Sequence, residues 1–341
     1  MNHKFYNIAK KFNVFPFKLL PKITNQKLIF PFYHCVSDIT PIHIKHLYKI
    51  RTISEFENDL DFLLKYYEPI DYKILLDILF NGKKFSNSFL LTFDDGLNEF
   101  YDIVAPILQK KGIPCICFLN SNFIDNKDLF YRFKASILIE ALNTKIISGS
   151  QKGEIKSWIC DKGGDYENIN NFILSVKYID KNYLDELAGI LKVNFDQYLK
   201  QAQPYLSGNK IKKLISQGFH FGAHSIDHPY YTEIKEEEQL FQTRKSIDSV
   251  INKFNLNYRL FSFPFDDTTI SRLFFEIIFN KNNPIADLTF GTSGLKKDPI
   301  KYNFQRIPME KDGFSAYDII CGEYLYYMAK SFTNKNTIKR M

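Results

Sequence analysis

The sequence predicts an α/β protein built on a parallel sheet, either open or closed into a barrel. Short apolar runs typical of buried strands alternate along the chain with longer segments whose apolar residues recur at helical spacing. One interval, residues 125–217, lacks a clear strand and carries helical patterns instead. At 341 residues, one elaborated domain is as plausible as two.

Six segments are predicted as strands because each is a short apolar run bounded by polar or turn-forming residues. They are Leu28–Tyr33, Ser88–Phe93, Pro114–Leu119, Phe219–Ala223, Leu260–Phe265 and Asp287–Gly291. Active groups of such folds lie at the carboxyl ends of parallel strands. Polar residues directly after these runs are therefore the first candidates for a functional site.

Helices are predicted between the strands from caps and from apolar spacing. Ser54-Glu55-Phe56-Glu57 is typical of a capping box, and the apolar residues after it recur at helical spacing through Tyr67. Thr232 is predicted to cap a long charged helix that ends at Phe254. The other predicted helices beside the strands are Leu97–Lys111, Thr268–Lys281 and Ser315–Ala329.

These elements divide the chain into one main domain and three additional segments. The predicted main domain comprises residues 28–124 and 218–330, preceded by an extension at residues 1–27 and followed by a tail at residues 331–341. Residues 125–217 are predicted to form a mostly helical insertion that covers a cleft or binds a partner. Its helical patterns are Phe133–Leu142, Tyr183–Leu191 and Lys210–Ser216.

Composition restricts the classes of partner. The 45 Lys and Arg exceed the 38 Asp and Glu by seven, but the positive residues are scattered lysines, which argues against nucleic acid. An anionic membrane surface or a polyanionic glycan stays open. The 33 Phe and 21 Tyr fit a sugar-stacking cleft, although core packing is the preferred interpretation for most of them. Five cysteines without a CxxC pair indicate neither a disulfide framework nor a cysteine-built zinc site.

The N-terminal residues lack the continuous apolar stretch and cleavage site of an export signal, and no later segment resembles a membrane span. We therefore predict a cytoplasmic protein. Phe5–Leu20 is basic and aromatic, so peripheral contact with the inner membrane face is an open alternative to a simple addition to the fold. The sequence does not indicate the oligomeric state.

The sharpest feature is the strand end at Leu90–Gly96, where Asp94 and Asp95 directly follow an apolar run. Burying two adjacent carboxylates costs free energy unless a cation or a proton neutralises them. The turn at Gly96 is predicted to aim both side chains into one site. The alternative is that one of the aspartates caps the helix that follows.

A second strand end carries two histidines, His224 and His228, whose spacing predicts that both lie on one face of a helical turn. Two imidazoles with a carboxylate suit zinc or a similar divalent cation, and three protein ligands leave a position for water, as a catalytic site requires. Ser225 and Asp227 lie between the histidines and are candidates for hydrogen-bond partners that orient the imidazoles.

These two motifs resemble those of the polysaccharide deacetylases, which share the NodB homology domain. Thr92-Phe93-Asp94-Asp95-Gly96 is similar to the family's first motif, and His224-Ser225-Ile226-Asp227-His228 is similar to its second. The resemblance covers residues 28–124 and 218–310 and leaves the insertion outside. It implies a distorted (β/α) barrel with fewer than eight regular strands.

The resemblance also implies a role for individual residues. Asp94 would be the base that activates water, and the backbone N–H of Phe265 in Phe263-Pro264-Phe265-Asp266 would stabilise the tetrahedral oxyanion. The cofactor would be a divalent metal, zinc in the first place and cobalt as the alternative. The implied metal ligands are Asp95, His224 and His228.

Two positions depart from the family pattern. The family often has an arginine before its Pro-aromatic pair to orient the base, where this chain has Ser262; Arg259 and Arg306 are the candidate replacements. Many members also have a C-terminal histidine as general acid, but here no histidine follows the second motif. His34, which follows an apolar strand, is the preferred replacement. A structural His34, an Asp94 that shuttles the proton both ways, and a slow enzyme are the open alternatives.

The sequence therefore predicts metal-dependent hydrolysis of an N-acetyl or N-formyl group from an amino sugar. The sugar belongs to a cell-surface polysaccharide or its lipid-linked precursor, and the precursor is preferred because no export signal is found. A catalytically impaired glycan-binding protein that keeps the metal site is one alternative, and a hydrolase of a small non-peptide amide is another. A groove lined by Tyr and Phe would favour glycans, whereas a closed pocket under the insertion would favour a small substrate.

Overall fold

The computed structural model describes residues 3–11 and 16–340, and a sheet of eight parallel strands forms its centre. The strands in chain order are β1 (Leu28–Ile29), β2 (Pro31–Tyr33), β3 (Glu68–Pro69), β4 (Ser88–Phe89), β5 (Leu91–Phe93), β6 (Cys115–Leu119), β7 (His220–Ala223), β8 (Leu260–Ser262), β9 (Leu288–Gly291), β10 (Asn303–Gln305) and β11 (Ile307–Pro308). The large sheet has the order β10-β9-β8-β7-β6-β5-β2-β11, and β1, β4 and β3 form a small parallel sheet beside it.

The two edge strands of the large sheet are successive in the chain and are separated only by Arg306. β10 pairs with β9, while β11 pairs with β2 at the opposite edge. One short segment therefore touches both edges, and the sheet curls into a nearly closed barrel. The predicted distorted (β/α) barrel is confirmed, although its sheet has eight strands where fewer than eight regular strands were predicted. The barrel is distorted because β10 and β11, which lie at opposite edges of the sheet, belong to one short segment that crosses from one edge to the other.

Each predicted strand contains an observed strand, but two of them are interrupted. The strand pairing is interrupted at Phe30 and at Leu90. The first part of each segment therefore joins the small sheet, and the second part joins the barrel. β3, β10 and β11 were not predicted. Two or three residues are too few for a periodic apolar pattern, and their pairing depends on distant strands.

Helices surround the barrel. They are α1 (His3–Lys11), α2 (Leu20–Thr24), α3 (Ile42–Lys45), α4 (Ile53–Tyr66), α5 (Tyr72–Asn81), α6 (Ala105–Lys111), α7 (Tyr131–Thr144), α8 (Gly149–Asp161), α9 (Ile169–Ser175), α10 (Asn182–Leu191), α11 (Phe195–Ala202), α12 (Gly208–Ser216), α13 (Glu236–Phe254), α14 (Arg272–Ile278) and α15 (Ala316–Ser331). A π-helical turn, Phe100–Val104, precedes α6. All five cysteines lie in the described residues and are free thiols.

Two predicted helix caps are wrong. The capping box of α4 is formed by Thr52 and Glu55, two residues before the predicted position, because the Thr52 hydroxyl reaches the Glu55 N–H. Thr232 lies in a short 3₁₀ turn, and α13 begins four residues later without a side-chain cap. Three glutamates in its first turn stabilise that helix end through the helix dipole instead. The predicted helix Ser315–Ala329 is present as α15, and Ser315 caps it.

Two apolar layers hold the barrel. One layer fills the barrel interior with side chains from the strands, and α5 contributes Tyr72 and Leu75 to it. The other packs the outer faces of the strands against the surrounding helices. Alternate residues of β6 show the division, since Ile116 and Phe118 belong to the inner layer while Cys115, Cys117 and Leu119 belong to the outer one.

Residues 125–217 are all described, and they contain six helices, α7 to α12. α7 to α11 pack around an apolar core of their own, which includes Phe133, Leu138 and Leu187, whereas α12 packs against the barrel through Ile211 and Leu214. The same core continues to Cys35 and Leu97 at the barrel mouth, so the helical region borders the predicted site. The exact domain boundaries stay a prediction.

The N-terminal helix α1 packs along α15, where Tyr6 is buried and its hydroxyl donates to Glu323 at 2.5 Å. A side chain at Gly322 would overlap Tyr6, so the two helices approach closely. The predicted membrane-surface stretch falls partly on residues 12–15, which lie outside the described residues, and peripheral membrane contact stays a prediction. Among the described residues, no helix has the length and apolar character needed to cross a membrane.

Candidate active site

The structure brings the predicted site residues together at the carboxyl ends of the barrel strands, the common position of functional groups in this architecture. His34 follows β2, Asp94 and Asp95 follow β5, His224 and His228 follow β7, Phe265 lies just past β8, and Arg306 lies between β10 and β11.

The aspartate pair is turned into the barrel mouth by a left-handed backbone. Asp95 has φ 69° and Gly96 has φ 62°, and a side chain at Gly96 would overlap Leu119. The turn predicted at Gly96 is therefore present. Asp94 and Asp95 are 2% and 6% exposed, and they have different partners: Asp94 meets Arg306, while Asp95 faces the histidines.

The two histidines lie on a loop, so the prediction of a helical turn is wrong. Ser225 and His228 both have positive φ, 69° and 63°, which no helix allows. The loop is tight because the Ser225 hydroxyl accepts a hydrogen bond from the His228 N–H at 3.0 Å. The turn brings the His224 and His228 Nε2 atoms within 3.1 Å of each other.

The orientation of His224 is set by a backbone carbonyl. Its Nδ1 lies 2.7 Å from the backbone carbonyl oxygen of Ser262, which can only accept a hydrogen bond. Nδ1 therefore carries the proton, and Nε2 presents its lone pair to the site. Asp227 does not orient either imidazole, contrary to the prediction. Its carboxylate accepts from the Tyr178 hydroxyl and pairs with Lys181, each at 2.7 Å, and so joins this loop to the helical region of residues 125–217.

The donor set at the mouth fits a divalent metal. Asp95, His224 and His228 each offer one ligand atom within 4.8 Å of the others, and no other such group of His, Cys, Asp and Glu occurs among residues 3–11 and 16–340. The Asp95 Oδ1 atom is buried without a hydrogen-bond donor. Burial raises the pKa of Asp95 and lowers the pKa of both histidines. A bound cation would compensate that cost, because it supplies charge and ligand bonds where water is excluded.

Asp94 is held by a buried two-point contact with Arg306. The Nη1 and Nη2 atoms lie 2.7 Å from Oδ1 and Oδ2 respectively, and the guanidinium stacks 4.3 Å above the Phe32 ring. Burial alone would raise the pKa of Asp94, but the Arg306 charge holds it well below its usual range. Ser262, the residue at which the resemblance implies an arginine, accepts from Arg306 at 2.6 Å. Arg259 is exposed at the opposite end of β8 and does not take part.

His34 forms an ion pair with Glu310, which was not predicted. Its Nδ1 lies 2.5 Å from Glu310 Oε2, and Oε1 of the same carboxylate accepts from the Cys35 N–H at 2.9 Å. Burial lowers the pKa of His34, but Glu310 outweighs burial and raises it to about 9. The imidazole is therefore protonated at neutral pH. Glu310 lies just past β11, and it was missed because that two-residue strand gave no signal.

Aromatic rings form the walls beside the histidines. The Phe265 ring lies 4.6 Å from the His228 ring and stacks on Tyr230 at 3.5 Å, while Phe130 from the helical insertion lies 4.4 Å from His228. Phe265 has φ 56°, and the Thr292 hydroxyl donates to its carbonyl. A positive φ in a bulky residue is rare and persists where the surroundings hold it, often at functional sites.

The polysaccharide deacetylase family model matches residues 81–153 and 172–272, about half of the chain. The chain belongs to the polysaccharide deacetylase family. The match contains both sequence motifs. It also extends into residues 125–217, so part of the region predicted as an insertion lies within the family pattern.

The deacetylase fold also resembles solved structures, although sequence identity is low. Streptococcus pyogenes deacetylase PplD in complex with acetate is 14% identical with a TM-score of 0.52, and the match covers 86% of this chain and 96% of PplD. IcaB from Ammonifex degensii is 14% identical with a TM-score of 0.51, covering 87% and 96%. A de-N-acetylase from Aggregatibacter actinomycetemcomitans is 12% identical with a TM-score of 0.51, covering 85% and 97%. The comparison with curated proteins finds no match for this chain.

Proposed function

We propose that this deacetylase uses a divalent metal, zinc or cobalt, to hydrolyse the N-acetyl or N-formyl group of an amino sugar in a cell-surface polysaccharide or its lipid-linked precursor. The observation that carries the proposal is the adjacency of two differently held carboxylates. Asp94 is ionised against Arg306, while Asp95 faces His224 and His228 with an oxygen that lacks a donor.

Asp95, His224 and His228 would hold the metal. When bound, it would polarise the acyl carbonyl and acidify water at the site. The Ser262 carbonyl keeps His224 in the tautomer whose Nε2 is free to bind. The positive φ values at Asp95 and His228 are explained by the same role, since each turns a ligand side chain towards the others.

Asp94 would act as the general base. It takes a proton from the attacking water, the water oxygen forms a bond with the acyl carbon, and the backbone N–H of Phe265 stabilises the resulting oxyanion. Arg306 aims both Asp94 oxygens and keeps the carboxylate ionised, at the cost of some basicity. The geometry therefore favours orientation over base strength.

His34 would be the general acid that the C-terminal part of the chain lacks. Its imidazolium gives a proton to the sugar nitrogen as the carbon–nitrogen bond breaks, so that the products are a carboxylate and a free amine. The Glu310 contact supports this role, because it keeps His34 protonated at neutral pH. The His34 side chain is 27% exposed, which supports the proposal that a leaving sugar amine can reach it. This pairing favours turnover over a binding function alone.

An amino sugar suits the walls of the site. Phe130, Phe265 and Tyr230 present rings beside His228, and the apolar faces of sugar rings stack on aromatic side chains. The polar residues at the centre are buried, so only a pendant group such as an acetamide is expected to reach them.

The proposal is tested by acetate and formate release from acylated hexosamine oligosaccharides and lipid-linked amino sugars, with zinc or cobalt restored after chelation. Asp94→Asn is expected to abolish release while metal stoichiometry stays at one. Asp248→Asn, an exposed change on α13, is the matched control and keeps full activity. Stoichiometric metal binding with no release from any of these substrates would establish a binding protein instead. Release from small amides alone would exclude the sugar.

A further inference from the structure

A buried polar cluster lies beside the barrel, away from the metal ligands. Two carboxylates, Asp267 and Asp298, are 0% and 2% exposed in their side chains, and the Arg340 side chain between them is 1% exposed. Arg340 Nη2 lies 2.6 Å from Asp267 Oδ2 and 2.5 Å from Asp298 Oδ2. Arg340 Nε also donates to Asp298 Oδ1 at 3.0 Å, and the guanidinium lies 4.3 Å from the Phe275 ring centre. These contacts use most of its donors.

Further donors to the two carboxylates are the Ile300 N–H, which donates to Asp298 Oδ1 at 3.0 Å, and two side-chain amides of β10. The side-chain amides of Asn303 and Gln305 each bond to Asp267 Oδ2 at 2.8 Å and to Asp298 Oδ2 at 2.8 and 2.9 Å. Arg340 Nη1 donates to the Asp267 carbonyl at 2.6 Å as well. Arg340 and β10 therefore share the same two carboxylates, one of which lies on the loop after β8.

The segment that carries Arg340 is itself fixed in place. Thr337 and Lys297 form a parallel bridge, the Lys297 N–H donates to the Asn336 carbonyl, and the Ile338 N–H donates to the Lys297 carbonyl, both at 2.9 Å. Ile338 is buried. The segment predicted as a tail is thus held against the residue before Asp298, which explains how a side chain so far along the chain reaches this cluster.

The cluster is connected to the active site both along the chain and through a packing contact. Asp267 lies two residues after Phe265, on the same loop, so its position sets the course of that loop. Gln305 directly precedes Arg306, and a side chain at Gly291 would overlap both the Asp267 carboxylate and Gln305. The Gly291 carbonyl accepts from the N–H and the Nε of Arg306, each at 3.1 Å. Asp267 therefore packs directly against the residue that holds the base-orienting arginine.

We propose that Arg340 is a positioning residue for the deacetylation reaction. Through Asp267 and Gln305, it fixes the Phe265 loop and the backbone of Arg306, so that the oxyanion donor and the base keep their mutual geometry. The inference rests on the proposed function. It adds a residue that neither motif contains and that touches neither substrate nor metal.

Loss of the Arg340 side chain is expected to lower the reaction rate without releasing the metal. Removing the guanidinium leaves two buried carboxylates sharing neutral amide donors alone, and their repulsion is relieved only by movement of the loop or of β10. A displacement of about 1 Å at a reacting group costs on the order of 100-fold in rate. Because the metal ligands are held by other contacts, metal binding is expected to persist.

The test compares Arg340→Ala and Arg340→Lys with the metal-loaded wild type, with kcat counted per bound metal. We expect kcat to fall by about 10-fold to 100-fold in Arg340→Ala, with KM and metal stoichiometry within twofold of wild type. The kcat of Arg340→Lys is expected to lie between those of the wild type and Arg340→Ala, since one ammonium group cannot bond to both carboxylates as the guanidinium does. Arg272→Ala removes an exposed arginine from α14 and is the matched control.

Chemical rescue separates positioning from a merely structural role. Guanidinium chloride, far below unfolding concentrations, is expected to raise kcat of Arg340→Ala and to leave kcat of Arg272→Ala unchanged, whereas sodium chloride at equal ionic strength raises neither. Unchanged kcat per bound metal in both Arg340 variants would overturn the proposal. If Arg340→Ala does not fold, Arg340→Lys and Asp298→Asn decide it in the same assay. Absence of release by the wild type would instead refute the proposed function.

Discussion

The buried pair of Arg306 and Asp94 makes the strongest test of how the site is held. Both charges lie inside the barrel, at 0% and 2% side-chain exposure, and face each other through two hydrogen bonds of 2.7 Å. Arg306→Leu leaves the Asp94 charge buried without its partner. Breaking such a pair from one side typically costs about 3–5 kcal/mol of unfolding free energy. We expect a loss of this size, together with loss of deacetylation.

The double variant Arg306→Leu with Asp94→Asn tests the cause. If the cost comes from an uncompensated charge, removing that charge as well is expected to recover most of the lost stability, although activity stays absent. Urea unfolding followed by circular dichroism measures each variant. The control is Arg272→Leu, which breaks an exposed pair with Glu276 and should cost less than about 1 kcal/mol. A double variant that is less stable than Arg306→Leu would refute the reasoning.

Three further substitutions concern the proposed metal ligand His228, the proposed acid His34 and the buried His43. His228→Ala removes one of three proposed ligands, and zinc affinity measured by calorimetry is expected to fall by about 10-fold or more. Glu310→Gln removes the group that raises the pKa of His34, so NMR titration is expected to give a pKa well below 9, and the alkaline limb of kcat should move to lower pH. His43 is buried with its pKa lowered to about 4, so below pH 6.5 the unfolded state binds protons that the folded state does not. Unfolding free energy is therefore expected to fall by up to about 3 kcal/mol between pH 6.5 and 4, and His43→Gln should remove that part of the slope.

Each of these predictions has a contradicting outcome. Zinc affinity that is unchanged in His228→Ala would remove His228 from the proposed ligand set. Glu140→Gln, which removes the partner of His46, is the control for Glu310→Gln. An equal shift of the kcat profile in both variants would exclude a specific effect on His34. A slope of stability with pH that is the same in wild type and His43→Gln would show that other groups cause it.

The barrel was predictable because buried strands leave a local trace. Runs such as Pro114–Leu119 are apolar on both faces, since one face fills the barrel and the other meets helices. Asp94, Asp95, His224 and His228 were found for a related reason, as polar residues directly after such runs stand at the barrel mouth. Arg306 was a candidate only beside Arg259, and the structure distinguishes them by burial and by the bonds to Asp94.

Other features left no local trace. β10 and β11 are too short for periodicity, and their role in closing the barrel exists only because β9 and β2 meet them. Glu310 therefore had no predicted strand end to mark it. The helical turn predicted for the two histidines failed because i and i+4 spacing also fits a tight loop with positive φ. Asp227, offered as a partner of the imidazoles, binds the insertion through Tyr178.

The sequence by itself determined the alternation of strands and helices, the two motifs at strand ends and, by resemblance, the family. These properties depend on neighbouring residues, and local spacing records them. Only the tertiary structure decided which residue forms the ion pair with each buried charged group. The pairs are Arg306 with Asp94, Glu310 with His34, and Arg340 with Asp267. Such pairings join residues tens to hundreds of positions apart. Burial makes an unpaired charge costly, so the fold, and not local spacing, selects the partner.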